Sequence, residues 1–190
     1  LAAFAWLNWR NPHPLLDLRL LLHRQFRLGV IVAFVYGIGL FGSTYLLPVY
    51  LQMGLAYSPS AAGAALFPGG VTLAITLYVA GRLADRMPPA RLLQVGAVIF
   101  ATSLGLMSTV DSQTPYALMV GWVVVGRIGL GLILPSLTLA VTRGLGRDEI
   151  PQAASMSSLL RQFGGAVGVS TVGLLLEWRL RAWGFSVGDL

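Results

Sequence analysis

Five apolar runs, each separated from the next by a short polar connection, form the pattern of this chain. Charge-free stretches at 61–80 and 92–110 flank the sharpest break, Gly81-Arg82-Leu83-Ala84-Asp85-Arg86-Met87-Pro88-Pro89-Ala90-Arg91. At about 1.5 Å per residue, either stretch is long enough to cross a hydrocarbon core of about 30 Å. The break is therefore a tight loop between two spanning helices. Its three arginines put it on the cytoplasmic side, because short loops beside spanning helices carry the positive charge. Counting from this loop predicts spans at about 28–51, 61–81, 92–110, 116–142 and 150–176.

The connections fit that count. Residues 53–60 carry no charge, as an outer loop should, and Ser58-Pro59-Ser60 offers a capping oxygen to the second span. Asp111-Ser112-Gln113-Thr114-Pro115 reads as an outer turn. Residues 143–149 read as a second inner loop, in which Asp148 and Glu149 suit the positive end of the fifth helix. Glu177, Arg179 and Arg181 fall outside, against the positive-inside bias. Before the first span, 1–9 read as the last turns of a preceding helix, with Trp6 and Trp9 at headgroup level, and Pro12 and Pro14 stop it. Residues 15–26 read as an amphipathic segment on the inner surface, so 1–27 form a linker and 28–190 a half-bundle. Beginning at Leu1, with no signal-peptide pattern, the chain reads as a piece of something longer.

Within the spans, polar and small residues mark positions of interest. Gly37-Ile38-Gly39-Leu40-Phe41-Gly42 spells a dinucleotide fingerprint, but without its strand the glycines serve close helix approach or bending. Pro48 is expected to kink the first span, and Tyr45, Tyr50 and Gln52 give that end polar tips for a cavity to use. Two rows of small residues, Ala61/Ala65/Gly69 and Ala97/Ala101/Gly105/Thr109, are expected to be helix contacts. Arg127, in the outer half of the fourth span, must snorkel to the headgroups or face a polar cavity. Arg161 has the same choice at the inner end of the fifth span, where Gln162 and Ser155, Ser157 and Ser158 would border an inward cavity mouth.

Composition narrows the function classes. With 56% hydrophobic and 11% charged residues and a mean hydropathy of +0.75, the chain has too little polar surface to coat a soluble globule. The net charge of +6 comes from thirteen arginines in short loops and span ends, which read as topology signals rather than a nucleic-acid footprint. Cysteine is absent, and His13 and His23 lack partners at ligand spacing, so they read as solvated and no metal site is expected. No Gly-x-Ser-x-Gly, His-Glu-x-x-His or lysine-bearing phosphate loop is present, which argues against an enzyme. None of the seven acids falls at midplane depth, so a proton relay has to lie elsewhere, since arginine does not deprotonate.

Five motifs in order resemble one family. They are Pro14-Leu15-Leu16-Asp17-Leu18-Arg19-Leu20, Leu46-Leu47-Pro48-Val49-Tyr50-Leu51-Gln52, Ser58-Pro59-Ser60-Ala61-Ala62-Gly63, Gly81-Arg82-Leu83-Ala84-Asp85-Arg86 and Arg161-Gln162-Phe163-Gly164-Gly165-Ala166-Val167-Gly168. Together they are similar to the C-terminal half of the fourteen-helix drug:proton antiporter branch of the major facilitator superfamily. The resemblance implies an all-α polytopic helix bundle in the cell membrane, supplying five helices of the second half of a carrier that works by alternating access. It implies proton-coupled multidrug efflux, with a small lipophilic or cationic solute, the bilayer and a missing N-terminal half as partners, and no cofactor beyond the proton gradient. A carrier for another solute and a non-transporting scaffold or channel subunit are the alternatives. Candidate cavity residues are Tyr45, Gln52, Arg127, Arg161 and Gln162. By resemblance, Gly81, Arg82, Asp85 and Arg86 form the gating loop, with Pro88 and Pro89 standing where the family has glycine.

Overall fold

The computed structural model describes residues 18–110 and 114–182. The expectations for 1–17, for the turn at Asp111 and Ser112, and for 183–190 lie outside those residues. The described residues fold into five long helices after a single 3-10 turn at Leu18–Leu22. They are α1 Arg24–Val49, α2 Pro59–Ala84, α3 Pro89–Met107, α4 Tyr116–Thr142 and α5 Ile150–Ala182, and all five are long and apolar enough to cross a membrane.

Local chemistry explains most boundaries. The Ser58 hydroxyl accepts from the Ala61 amide at 3.3 Å, and Pro59 takes the first helical position of α2, where its missing N–H costs nothing. Pro89 opens α3 in the same way. That helix stops at Met107, short of 110, as the hydroxyls of Ser108 and Thr109 donate to the Gly105 and Leu106 carbonyls, each at 2.7 Å. After α4, Gly144 takes a positive φ of 84°. Glu149 then folds its carboxylate onto the Gly146 amide at 2.8 Å, just ahead of α5.

Several helices outrun the apolar pattern: α2 runs on to Ala84, past 81, and α3 starts at Pro89, ahead of 92. α1 begins at Arg24 because Phe26 is buried, and the 3-10 turn before it carries Leu20 into the same core. α5 continues to Ala182, past 176, where Glu177 and Arg181 pair one turn apart on its exposed surface.

Packing is centred on α4, which lies against α1, α2 and α3, while α5 packs chiefly on α1. One core, at the end of the bundle holding the 143–149 loop, joins Phe26, Val30 and Tyr36 of α1 to Leu130, Ile133 and Leu137 of α4 and Met156 of α5. The second, at the opposite end, gathers Leu51, Ala62, Ala65 and Met119.

Of the two small-residue rows, the one in α2 packs as expected, with Ala65 and Gly69 buried. The row in α3 does not. Ala97, Ala101, Gly105 and Thr109 are exposed, and α3 instead buries Leu92, Gly96 and Ser103. A small side chain permits a close approach without requiring one, and the face is chosen by the partner. Here the partner is the glycine row of α4: the Gly129 carbonyl oxygen lies 2.8 Å from where a Cβ on Gly96 would sit, and the Ser103 hydroxyl lies 2.6 Å from a Cβ on Gly126.

Candidate functional site

Polar groups at membrane depth gather around two clefts, one near each end of the bundle. The first lies between α1, α3 and α4. Arg127 sits eleven residues into α4, about 16 Å along its axis, so its charge is well inside the span. Gly69 of α2 makes room for it: a Cβ there would stand 3.2 Å from the arginine Cγ. The guanidinium Nη1 then donates to the Thr44 hydroxyl of α1 at 3.3 Å. Beside it opens a cleft of about 80 Å³, walled chiefly by Leu46, Phe100, Leu104 and Met107, with Ser43 and Ser103 on its rim.

Pro48 interrupts the hydrogen bonding of α1 here. It has no N–H for the Thr44 carbonyl, and one turn later the helix widens into a π turn at Tyr50–Gly54, where the Leu55 amide reaches the Tyr50 carbonyl at 3.2 Å. Of the three polar residues expected at this end, none of Tyr45, Tyr50 and Gln52 lines the cleft; Tyr45 and Gln52 are exposed and Tyr50 is half-buried. Their neighbours Ser43, Leu46 and Leu47 line it instead.

The second cleft, of about 60 Å³, lies between α4 and α5. Leu134, Leu137 and Thr138 form one wall, and Ser157, Ser158 and Arg161 the other. The Ser158 hydroxyl accepts from Arg161 Nη2 at 3.1 Å and from Gln162 Nε2 at 3.5 Å. Arg161 and Gln162 are thus brought together, whereas Arg127 belongs to the other cleft.

Tyr36 separates the two. It is buried in α1, donates to the Leu130 carbonyl at 3.3 Å, and lies within electrostatic reach of both Arg161 and Arg127. Sequence reasoning passed over it, although a tyrosine deep in an otherwise apolar span needs a buried partner for its hydroxyl. Thr44, Ser43 and Ser103 were passed over too, since hydroxyls in spanning helices commonly satisfy themselves on the preceding turn.

Of residues 81–91, only 85–88 form the turn, since α2 runs on through Ala84 and α3 starts at Pro89. Arg82 stacks over the Tyr78 ring, 4.4 Å from its centroid, while Asp85 and Arg86 are exposed. A side chain on Gly81 would meet nothing within 4 Å. Among the described residues no ion pair involves Asp85.

A family profile described as Major Facilitator Superfamily matches residues 4–169. The chain is 33% identical over 183 residues to the multidrug resistance protein B homolog of Mycobacterium tuberculosis, covering 94% of this chain and 34% of that one. It is 29% identical to the methylenomycin A resistance protein of Streptomyces coelicolor, covering 93% of this chain and 37% of the relative. Identity to the lincomycin resistance protein LmrB of Listeria monocytogenes is 28%, covering 90% and 36%. The chain thus spans about a third of the length of these relatives. Five spanning helices and a profile match over most of the sequence make this a multi-pass cell-membrane chain that belongs to the Major Facilitator Superfamily.

Proposed function

We propose that this chain is the second-half bundle of a secondary active multidrug efflux carrier, coupled to protons and working by alternating access. The observation that carries the reading is the pair of arginine-bearing clefts at opposite ends of the bundle, divided by Tyr36. A carrier needs a solute path that opens to one side at a time, and clefts at opposite ends of one half-bundle suit it. The printed names of the relatives, which concern resistance to drugs, support efflux as the direction. In this reading Arg127, Arg161 and Gln162 border the path, with Tyr45 and Gln52 on its outer approach, and an N-terminal half completes it. The proton step belongs to residues beyond those described here. Asp85, Asp148 and Glu149 lie in loops and Glu177 pairs with Arg181 near the end of α5, so no acid among the described residues sits at midplane depth.

The 81–91 loop is the proposed gate. Arg82 is held on Tyr78, which leaves Asp85 available to accept from a neighbouring element as the bundle rocks. The test is ethidium uptake into proteoliposomes containing the transporter that carries this chain. Saturable uptake with counterflow, driven by a pH gradient, is expected, and Asp85→Asn should slow it at unchanged expression. Gradient-independent leakage or no uptake at all contradicts the carrier, while normal turnover in Asp85→Asn removes the gate from it.

A further inference from the structure

The cleft beside Arg127 has a composition that selects among solutes. Its walls are apolar, and one full positive charge stands at their edge. The two rim hydroxyls have spent their protons: Ser43 donates to the Leu40 carbonyl at 3.0 Å and Ser103 to the Trp122 carbonyl at 2.7 Å. Thr44 does the same, donating to the Leu40 carbonyl at 2.7 Å, so it accepts from Arg127 with a lone pair. The donors that remain are those of the guanidinium, which carries five N–H groups in a flat fork and uses one on Thr44.

That charge has no counter-ion among the described residues. Asp85, Asp148 and Glu149 stand in loops at the other end of the bundle, and Glu177 is paired with Arg181. A lipophilic cation entering the cleft would meet like charge in a medium of low dielectric, where repulsion is far stronger than in water. A carboxylate matches the fork with two parallel, charge-assisted hydrogen bonds.

We propose that the Arg127 cleft is a carboxylate subsite, taking a small amphipathic acid whose head sits on the guanidinium and whose apolar body lies along Leu46, Phe100, Leu104 and Met107. This rests on the carrier reading and adds organic acids to it at this cleft alone, leaving the rest of the path to cations such as ethidium. The Thr44 bond aims the fork: with Nη1 held on α1, the other nitrogens are left for the solute.

Equilibrium binding of tritiated naphthaleneacetate and naphthaleneacetamide to the purified transporter tests it, since the two share one apolar body and differ in the charge of the head. The wild type is expected to prefer the acid. Arg127→Gln should weaken acid binding about tenfold or more, the range of a charge-assisted hydrogen bond, and leave the amide within about twofold. Arg127→Lys, a point charge without the fork, should fall between. Leu104→Trp keeps the arginine and fills the apolar end of the cleft, so it should weaken both ligands. Equal loss of acid and amide in Arg127→Gln, as expected for an arginine paired to another part of the protein, would overturn the subsite. So would acid binding untouched by Arg127→Gln, or binding of both ligands untouched by Leu104→Trp. Ethidium uptake measured in parallel separates the two ideas: uptake without acid binding removes the subsite alone, and failure of uptake removes the carrier.

Discussion

Against α1, helix α5 presents Gly164, Gly165 and Gly168; against α4, it presents Ser157, Ser158 and Arg161. On the first flank the two backbones meet directly at Gly37, Gly164 and Gly168, with the Phe41 ring against Gly165 and Val172 against Gly42. A Cβ on Gly164 would run into the Phe34 carbonyl, one on Gly37 into the Arg161 carbonyl, and one on Gly168 would stand 2.7 Å from the Ile38 oxygen. On the second flank there is about 60 Å³ of open space with a guanidinium and two hydroxyls around it. Where apolar driving force is absent between helices, close backbone packing provides the adhesion. The α1–α5 flank therefore behaves as a rigid pair, and the α4–α5 flank is the side on which the bundle can open.

The largest way to break that contrast is a single methyl group. Gly164→Ala pushes against main-chain atoms that cannot rotate away, so α5 must separate from α1. A loss of about 3 kcal/mol is expected, the upper part of the usual range for overpacking. Gly173→Ala on the same helix meets nothing within 4 Å and should leave stability unchanged or raise it by up to about 1 kcal/mol, the helix-propensity gain of alanine over glycine. Thermal unfolding in detergent reads both, and equal melting temperatures would show that the flank is not held by its glycines.

A smaller effect sharpens the other side. Ser158→Ala removes the oxygen shared by Arg161 and Gln162 and should cost only about 1 kcal/mol, because both side chains can turn to water in the cleft. Its signature is altered solute affinity at near-normal melting temperature. A large drop in melting temperature would mean the cleft is closed core.

The five spans, the tight 81–91 loop and the Ser58 cap were legible in the sequence because each follows from a local rule: span length, charge placement and capping chemistry. Which faces meet was not. The row Ala97, Ala101, Gly105 and Thr109 had the regular spacing of a contact face and yet is exposed, while Gly96 and Ser103, two helical turns apart on another face, lie against Gly129 and Gly126. In lipid both faces of a helix are apolar, so periodicity does not separate partner from solvent as it does in water. The candidate site divides along the same line. Arg127 and Arg161 stood out because a charge in a span is costly, whereas Tyr36 and Thr44 matter through partners about ninety and eighty residues away, the carbonyl of Leu130 and the side chain of Arg127. Tyr45 and Gln52 drew notice by being polar near Pro48, but the helix turn points their neighbours at the cleft.

The most direct test of a closed flank beside an open one uses the absence of native cysteine. Ser157→Cys, in the wall of the α4–α5 cleft, and Ala33→Cys, fully buried in the α1 core, would be exposed to a membrane-impermeant thiol reagent applied from the cytoplasmic side. The account predicts rapid modification at position 157, slowed by transported solute, and none at position 33. Modification at position 33 at a comparable rate, or an inert position 157, would contradict it.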